Sequence, residues 1–295
     1  MKLYIIDGSG FLFRAYHGLP PLNRDDGNSV HAIFGVCKMM IKLLFDKPDY
    51  FVIARDAPHK TIRHVQYEDY KAGRPPAPDD FKRQVWHTKE LLGQLHLPSL
   101  ESPWYEADDL IGTVVNQYKS IDGIQISIIT GDKDMKQLIT DNVICYDAMY
   151  DRATTYQSFV RECEYQPTSI VDYLSLVGDS SDNISWVPGI GKVNAEKLIK
   201  QYHTIENIYE HIKDIGWSNQ QKLLDGKESA FHSKGLIQLM KVPLMDHIPL
   251  EEYKREPNFN LIQNRLLHDW QFESLYLSIE KLKKVYTMPT QQGLF

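Results

Sequence analysis

The sequence predicts an α/β protein with a mostly parallel sheet flanked by helices, followed by an α-helical C-terminal part. In the first half, short apolar runs alternate with amphipathic stretches, as in chains built from βα units. After about Pro167 the strand pattern stops, and helical spacing continues to about Lys284. The length of 295 residues is enough for two domains with separate cores.

Four short apolar runs are the predicted strands, and an acidic residue follows each of them closely. They are Leu3 to Ile6 before Asp7, Tyr50 to Ala54 near Asp56, Ile124 to Ile129 before Asp132, and Val143 to Tyr146 before Asp147. Helical spacing covers residues 31–45 and 108–118. Ligands of open parallel sheets bind outside the carboxyl ends of the strands, so we expect a functional site at this edge.

Composition narrows the class of protein. An apolar fraction of 42% argues against disorder. Cys37, Cys145 and Cys163 are odd in number and form no CxxC pair, which predicts neither a disulfide framework nor a zinc site. The first apolar run stops at Asp7, too short for a secretory signal, and no later window is long enough to span a bilayer. We therefore expect a cytoplasmic protein without membrane contact.

Many carboxylates gather at the expected site. An acidic residue in the first turn of a helix gains only about 0.3–1 kcal/mol from the helix dipole, which is too little to explain so many of them. Singly, each could cap a turn or lie in an exposed loop. Gathered together they repel one another unless a cation compensates them, and Mg²⁺ or Mn²⁺ prefers such oxygen ligands. The predicted metal ligands are Asp7, Asp56, Glu106, Asp108, Asp109, Asp132, Asp134, Asp179 and Asp182.

The segment from Gly178 to Gly191 combines two predicted sites. Asp179 and Asp182 lie three residues apart, so a short turn could aim both side chains the same way. Gly189 and Gly191 permit a tight turn directly before a helical pattern, which leaves free N–H groups and a positive dipole end facing an anion. An exposed acidic loop followed by an ordinary glycine-rich helix start is the alternative.

The net charge of −6 does not by itself indicate a nucleic-acid partner. Setting aside the nine predicted metal ligands leaves the remainder of the chain at +3. A basic and aromatic stretch between His59 and Lys89, which includes Arg63, could bind phosphates and stack on bases. An exposed helix pair is the alternative for this stretch.

Six ordered motifs make the chain similar to the 5′-nuclease family, which comprises the 5′-3′ exonuclease domain of bacterial DNA polymerase I and free-standing flap endonucleases. The motifs are Asp7-Gly8-Ser9 with Phe13-Arg14-Ala15-Tyr16-His17, Tyr70-Lys71-Ala72-Gly73-Arg74, Glu106-Ala107-Asp108-Asp109, Thr130-Gly131-Asp132-Lys133-Asp134, Gly178-Asp179-Ser180-Ser181-Asp182-Asn183 and Pro188-Gly189-Ile190-Gly191. The resemblance implies a PIN-like nuclease core over residues 1–166, with an arch at about 59–90. It also implies a helix-hairpin-helix DNA-binding domain over 167–285, often with K⁺ in the hairpin, and a tail at 286–295.

The same resemblance implies roles for individual residues. The nine carboxylates would hold two or more divalent ions. Lys71 and Arg74, at the base of the arch, would contact the scissile phosphate, and Tyr70 would stack on an unpaired base. The implied DNA-binding residues are Arg14, Val187, Gly189, Ile190, Gly191 and Lys192. The implied function is hydrolysis of DNA phosphodiesters at free 5′ ends, 5′ overhangs and 5′ flaps in replication and repair.

The chain departs from the family pattern around the hairpin. Asn183 and Ile184 are followed by Ser185 and Trp186, where the family has Pro-Gly, and Lys192 is followed by Val193 where the family has Thr. The backbone contacts of the hairpin glycines should survive both changes. At the second strand, Arg55 replaces a commonly apolar residue, and it either pairs with the acidic site or points away.

The last residues resemble the short peptide by which bacterial replication proteins bind the sliding clamp. We expect Gln291, Leu294 and Phe295 to carry that contact, with a frayed tail as the alternative. We also expect a free-standing monomeric nuclease. Two other functions stay open, a non-catalytic structure-specific DNA-binding or clamp-adaptor protein and a PIN-type ribonuclease.

Overall fold

A computed structural model describes residues 1–245, 248–254 and 256–287, and contains a single six-stranded sheet. The strands are β1 Lys2–Asp7, β2 Tyr50–Asp56, β3 Ser99–Ser102, β4 Gln125–Ile129, β5 Val143–Asp147 and β6 Arg152–Thr154. Their order in the sheet is β3-β2-β1-β4-β5-β6, and every pair is parallel except β5 with β6. The predicted, mostly parallel sheet is therefore confirmed.

The four predicted strands are present within two residues at each end, as β1, β2, β4 and β5. The sequence did not indicate β3 or β6. Both are short, and Ser99–Ser102 and Arg152–Thr154 lack the apolar run that marks a buried strand. They form the two edges of the sheet, where pairing on one side only is compatible with polar residues.

Helices follow most strands and make up the C-terminal half. They are α1 Gly8–Gly18, α2 His31–Leu44, α3 Ile62–Gln66, α4 Asp79–Gln94, α5 Ala107–Tyr118, α6 Tyr156–Cys163, α7 Ile170–Val177, α8 Lys192–Tyr202, α9 Ile205–Glu210, α10 Trp217–Asp225, α11 Lys227–Ile237, α12 Phe259–Gln263 and α13 Tyr276–Thr287. The predicted helices at 31–45 and 108–118 correspond to α2 and α5. Among the described residues, every helix is too short or too polar to cross a bilayer.

The described residues form three hydrophobic cores. Helices α1, α2 and α4 cover one face of the sheet together with residues 266–282. Helix α5 covers the other face together with residues 239–245 and 248–253. The third core lies among α7, α8, α9 and α11. The chain therefore returns to the sheet after α11 and packs on both of its faces, while the division into domains at 166/167 stays a prediction.

The sheet register brings the functional strand ends to one edge. In the parallel pairing of β1 with β2, Asp7 lies opposite Ala54, and in the pairing of β1 with β4, Ile6 lies opposite Ile129. From β1 the chain continues to β2 and β3 on one side and then crosses back to β4 on the other side of β1, so the strand order reverses at β1. Ligands of open α/β sheets bind at such a switch point.

Candidate functional site

Asp7 lies at the centre of the acidic edge, by which we mean the acidic residues at the carboxyl ends of β1, β2 and β4 and at the start of α5. It ends β1 and caps α1, its Oδ1 accepting a hydrogen bond from the Gly10 amide at 2.8 Å. Its Oδ2 accepts one from the Thr130 hydroxyl at 2.9 Å. Burial raises the pKa of Asp7 to about 6, with smaller contributions from the charges of Asp56 and Asp132, although its two hydrogen bonds act in the opposite direction. The surroundings of the Asp7 carboxyl group therefore disfavour its charged form.

Asp56, Asp108 and Asp132 lie within electrostatic reach of Asp7. Asp56 accepts a hydrogen bond from the Ala107 amide at 2.8 Å, which fixes the end of β2 against the first turn of α5. Burial raises the pKa of Asp108 well above its ordinary value, and the charges of Asp132, Asp7 and Asp56 raise it further. Residues from three strand ends and one helix therefore share one acidic pocket, and their role as metal ligands stays a prediction.

The turn after β4 adds a second carboxylate to this pocket. The Asp134 amide donates to Asp132 Oδ1 at 2.8 Å, and the Asp132 amide donates to the Thr130 hydroxyl at 3.0 Å. Burial raises the pKa of Asp134 to about 7, followed by the charge of Asp132. Asp134 Oδ1 is buried without a hydrogen-bond partner, which is costly for a carboxylate oxygen unless a cation approaches it.

Asp179 and Asp182 lie in a tight loop after α7. Backbone hydrogen bonds in both directions between Asp179 and Ile184 close this loop. The Lys133 ammonium lies 2.8 Å from Asp179 Oδ2, and Ser181 donates to Asp179 Oδ1 from its amide and its hydroxyl. Burial alone would raise the pKa of Asp179, but these partners lower it. No role for Lys133 is predicted from the sequence, although its position between two acidic residues was a usable signal.

Glu106 is linked to the basic segment that the sequence singled out. Lys71 Nζ lies 2.7 Å from Glu106 Oε1, and the Tyr70 hydroxyl donates to Glu106 Oε2 at 2.9 Å and to Asp182 at 3.2 Å. Burial would lower the pKa of Lys71, but the charges of Glu106 and Asp182 raise it above its ordinary value. Lys71 is therefore a fixed positive charge beside the acidic pocket.

Hydrogen bonds join the segment 69–74 to the loop 179–184. The Lys71 amide donates to the Asp182 carbonyl at 3.0 Å, and the Asn183 side-chain amide donates to the Asp69 carbonyl at 2.8 Å. Arg74 donates to the Asp182 carboxylate and to the Ser181 carbonyl. Lys71, Arg74 and the acidic loop are thus joined, although more than a hundred residues separate them in sequence.

Two residues of the predicted set are placed differently from the prediction. Asp109 is fully buried, and all its oxygens are engaged by Arg63, the Met240 amide and the Glu106 amide, so it faces away from the acidic pocket. Tyr70 is only 4% exposed and packs in the helical core, so its ring is not free to stack on a base. Neither the metal-ligand role of Asp109 nor the base stacking of Tyr70 agrees with this placement, because both side chains are packed in the protein interior.

The segment predicted as an arch also contributes to the interior. Arg63, expected among the phosphate-binding residues, is 2% exposed and pairs with Asp109. Helix α4 buries Leu91 and Leu92 in the core beneath α2. Residues 59–90 therefore include elements packed on both the sheet and the C-terminal helices.

Metal coordination is not preformed in the described residues. No group of three or more His, Cys, Asp and Glu side chains there is arranged to hold an ion. Lys71, Arg74 and Lys133 instead contact the carboxylates of Glu106, Asp182 and Asp179, each within 3 Å. Repulsion among the acidic side chains explains why cationic side chains contact them.

The predicted hairpin lies between α7 and α8. Gly189 has φ +82°, a conformation that favours glycine, and Gly191 caps α8, whose first turn begins at Lys192. Val187 and Ile190 are buried in the helical core, and their amides donate to the Leu176 and Val187 carbonyls. The sequence prediction of a tight turn at a helix start agrees with this geometry.

Arg14 and Arg55 lie at opposite sides of the acidic edge. Arg14 donates to both oxygens of Asp147, and its guanidinium occupies the space beside Gly131, where a Cβ would come within 1.7 Å of it. Arg55 pairs with Glu101 at 3.0 Å, which resolves the two alternatives for this residue in favour of pointing away. The predicted clamp-binding residues Gln291, Leu294 and Phe295 lie outside the described residues.

Two family models together match most of the chain. The 5′-3′ exonuclease N-terminal resolvase-like domain matches residues 2–165, and the 5′-3′ exonuclease C-terminal SAM fold matches residues 165–258. The chain belongs to the 5′-3′ exonuclease family. A 5′-3′ exonuclease from Aquifex aeolicus is 34% identical over 297 residues, covering 99% of each chain. DNA polymerase I from Caldicellulosiruptor bescii is 36% identical over 273 residues. That match covers 89% of this chain but only 32% of the polymerase.

Solved structures of more distant proteins share the fold of this 5′-3′ exonuclease family member. The T5 D15 protein co-crystallised with metal ions superposes with a TM-score of 0.69 at 18% identity, covering 97% of this chain and 99% of D15. The catalytic core of Rad2 in complex with DNA substrate superposes with a TM-score of 0.60 at 15% identity, covering 96% and 90%. These similarities confirm the α/β core with a C-terminal helical part.

Proposed function

We propose that this 5′-3′ exonuclease family member is a structure-specific 5′ nuclease that hydrolyses DNA phosphodiesters at free 5′ ends, 5′ overhangs and 5′ flaps, using two or more Mg²⁺ or Mn²⁺ ions. The observation that carries the proposal is the convergence of Asp7, Asp56, Asp108 and Asp132, whose charges act on one another in one pocket. Roles in replication and repair and a cytoplasmic location are part of the same proposal.

The acidic pocket fits divalent ions. Asp7, Asp108, Asp132 and Asp134 have raised pKa values, first because of burial, so their charged forms need compensation. The unpartnered buried oxygen of Asp134 is a further available ligand. We propose all the predicted carboxylates except Asp109 as ligands or as charges that support them. When bound, such ions activate water and stabilise the leaving oxygen of a phosphodiester.

Lys71 and Arg74 supply positive charge beside the pocket. Each is held by a carboxylate, Lys71 by Glu106 and Arg74 by Asp182, so both reach the acidic edge from the same segment. We propose that they orient the scissile phosphate and offset its charge. Tyr70 orients Glu106 through its hydroxyl, a role that replaces the predicted base stacking.

Duplex DNA binding is assigned to the hairpin and to Arg14. The backbone of Gly189 and Gly191 and the start of α8 at Lys192 offer N–H groups and a positive dipole end to a phosphate. The amides of Val187 and Ile190 already donate to the Leu176 and Val187 carbonyls, so we propose that these two residues hold the shape of the turn. We propose K⁺ at the same hairpin. A monomeric state and clamp binding through Gln291, Leu294 and Phe295 also stay proposals. Selectivity would come from the shape of the DNA, because phosphate contacts carry no sequence information.

One assay separates this function from its two rivals. Labelled 5′-flap DNA and single-stranded RNA are incubated with Mg²⁺ and wild-type protein, the Asp132→Ala/Asp134→Ala variant or an EDTA control. Asp141→Ala is a matched control, because Asp141 is exposed and has no partner among the described residues. We expect Mg²⁺-dependent cleavage of the flap by wild type and Asp141→Ala only. Binding of flap DNA without cleavage would favour a DNA-binding or clamp-adaptor protein, and preferential RNA cleavage a PIN-type ribonuclease.

A further inference from the structure

Trp186 is a large apolar side chain held in solvent directly before the hairpin. Its ring is 59% exposed. The backbone around it is fixed, because the Val187 amide donates to the Leu176 carbonyl at 2.9 Å and the Ser185 carbonyl accepts from the Ser233 hydroxyl at 2.8 Å. The exposed ring therefore stands at a defined place beside the hairpin and not on a loose loop.

Lys222 lies against the hairpin from the neighbouring helix α10. A Cβ at Gly189 would come within 2.9 Å of Lys222 Cδ, so the lysine stem packs directly on the turn. Within the described part of the chain, the ammonium groups of Lys222 and Lys192 form neither an ion pair nor a hydrogen bond with another side chain. Two uncompensated cations thus lie at a helix start that already favours anions.

The surface formed by Trp186, Lys192 and Lys222 indicates which class of molecule binds there. An exposed aromatic ring beside unpaired lysines suits a polyanion that also offers apolar edges, which duplex DNA does through its sugars and base edges. A protein partner with an acidic patch would meet the cations but has no need of the fixed ring.

We propose that Trp186 and Lys222 extend the hairpin's contact with duplex DNA, Lys222 through a phosphate and Trp186 through an apolar contact in the groove. The proposal rests on the proposed function and deepens it. The two residues should leave different signatures. A lysine at a phosphate releases counterions, so its removal reduces the salt dependence of binding, whereas an apolar ring releases none.

The test measures binding of a labelled blunt duplex by fluorescence anisotropy in EDTA at several salt concentrations. Lys222→Gln is expected to reduce the slope of log K against log salt by about 0.9. Trp186→Ala is expected to weaken binding about five-fold at every salt concentration, with an unchanged slope. Lys222→Arg and Trp186→Phe should recover most of the affinity. Lys281→Gln and Tyr276→Ala, both on α13 and exposed, serve as matched controls.

The outcomes distinguish a failure of this inference from a failure of the proposed nuclease function. If wild type binds and cleaves DNA but Lys222→Gln keeps the full salt slope and Trp186→Ala the full affinity, the inference is wrong and the proposed function stands. Equal losses in the α13 controls would also overturn the inference, because the effect would not be local to the hairpin. If wild type neither binds nor cleaves DNA, both proposals fail together. Thermal unfolding checks that all variants are folded.

Discussion

Arg63 donates two hydrogen bonds to Asp109, at 2.6 and 2.8 Å, and both side chains are almost completely removed from solvent. The same guanidinium donates to the carbonyls of Leu236 and Gln238. This pair therefore joins α3, the first turn of α5 and the end of α11. It lies directly behind the acidic pocket and fixes the helix that carries Asp108.

Breaking this buried pair should destabilise the protein. Arg63→Met or Asp109→Leu alone leaves an uncompensated buried charge, and we expect a loss of about 3–5 kcal/mol in the free energy of unfolding. The double variant should lose clearly less than the sum. Chemical denaturation measures the effect, with Lys82→Ala, which breaks an exposed ion pair with Asp79, as a control. Single variants as stable as that control would show that the pair contributes little.

The placement of Asp109 shows what the sequence determined and what it did not. Neighbouring residues on a helix point about 100° apart, so Asp108 and Asp109 lie on different faces of α5. That signal was present in the sequence. The partner of Asp109 was not, because Arg63 lies 46 residues earlier and nothing local links the two.

The fold was predicted where apolar runs were long. The strands β1, β2, β4 and β5 are rich in buried apolar residues, and acidic residues lie at or after their carboxyl ends. Helix α1 was not predicted, because its first turn contains Gly8 and Gly10, and glycine has a low helix propensity. The return of residues 239–245 and 248–253 to the sheet depends on long-range packing, which the local sequence pattern does not specify.

Removing one carboxylate from the crowded pocket should stabilise the metal-free protein. Asp108→Asn relieves a buried, mutually repelled charge, and we expect Tm in EDTA to rise by about 2–4 °C, corresponding to about 1 kcal/mol. Mg²⁺ should stabilise wild type more than this variant, because binding to the folded state raises its stability. Cleavage of flap DNA should fall at least about 100-fold. Scanning calorimetry with and without Mg²⁺ tests this, with Asp141→Asn as the control, and a lower Tm for Asp108→Asn in EDTA would contradict it.

Gly10 should be required for the position of Asp7. A Cβ at Gly10 would lie 2.2 Å from Asp7 Oδ2, whereas a Cβ at Gly93, within α4, meets no atom within 4 Å. We expect Gly10→Ala to cost about 1–3 kcal/mol and to reduce cleavage at least about ten-fold. Gly93→Ala should add about 0.5–1 kcal/mol and leave cleavage unchanged. Denaturation and flap-cleavage assays on both variants measure the contrast, and equal behaviour would show that the Asp7 pocket tolerates a displaced helix start.

Lys71 should act on the chemical step more than on binding. Its ammonium lies 2.7 Å from Glu106, and its left-handed backbone, φ +58°, is held by the bond from its amide to the Asp182 carbonyl. We expect Lys71→Gln to lower kcat about 100-fold, as expected for loss of one fixed charge that stabilises the transition state. Its affinity for duplex DNA in EDTA should stay within about three-fold of wild type, since one phosphate contact is a small part of the total.

Lys89→Gln is the matched control for this variant, because Lys89 pairs with the exposed side of Glu101 and lies outside the acidic pocket. Single-turnover cleavage and anisotropy together separate the chemical step from binding. A Lys71→Gln variant that bound DNA ten-fold more weakly yet cut at the wild-type rate once saturated would place Lys71 in the binding surface. In that case the phosphate at the pocket would be oriented by Arg74 and the bound ions alone.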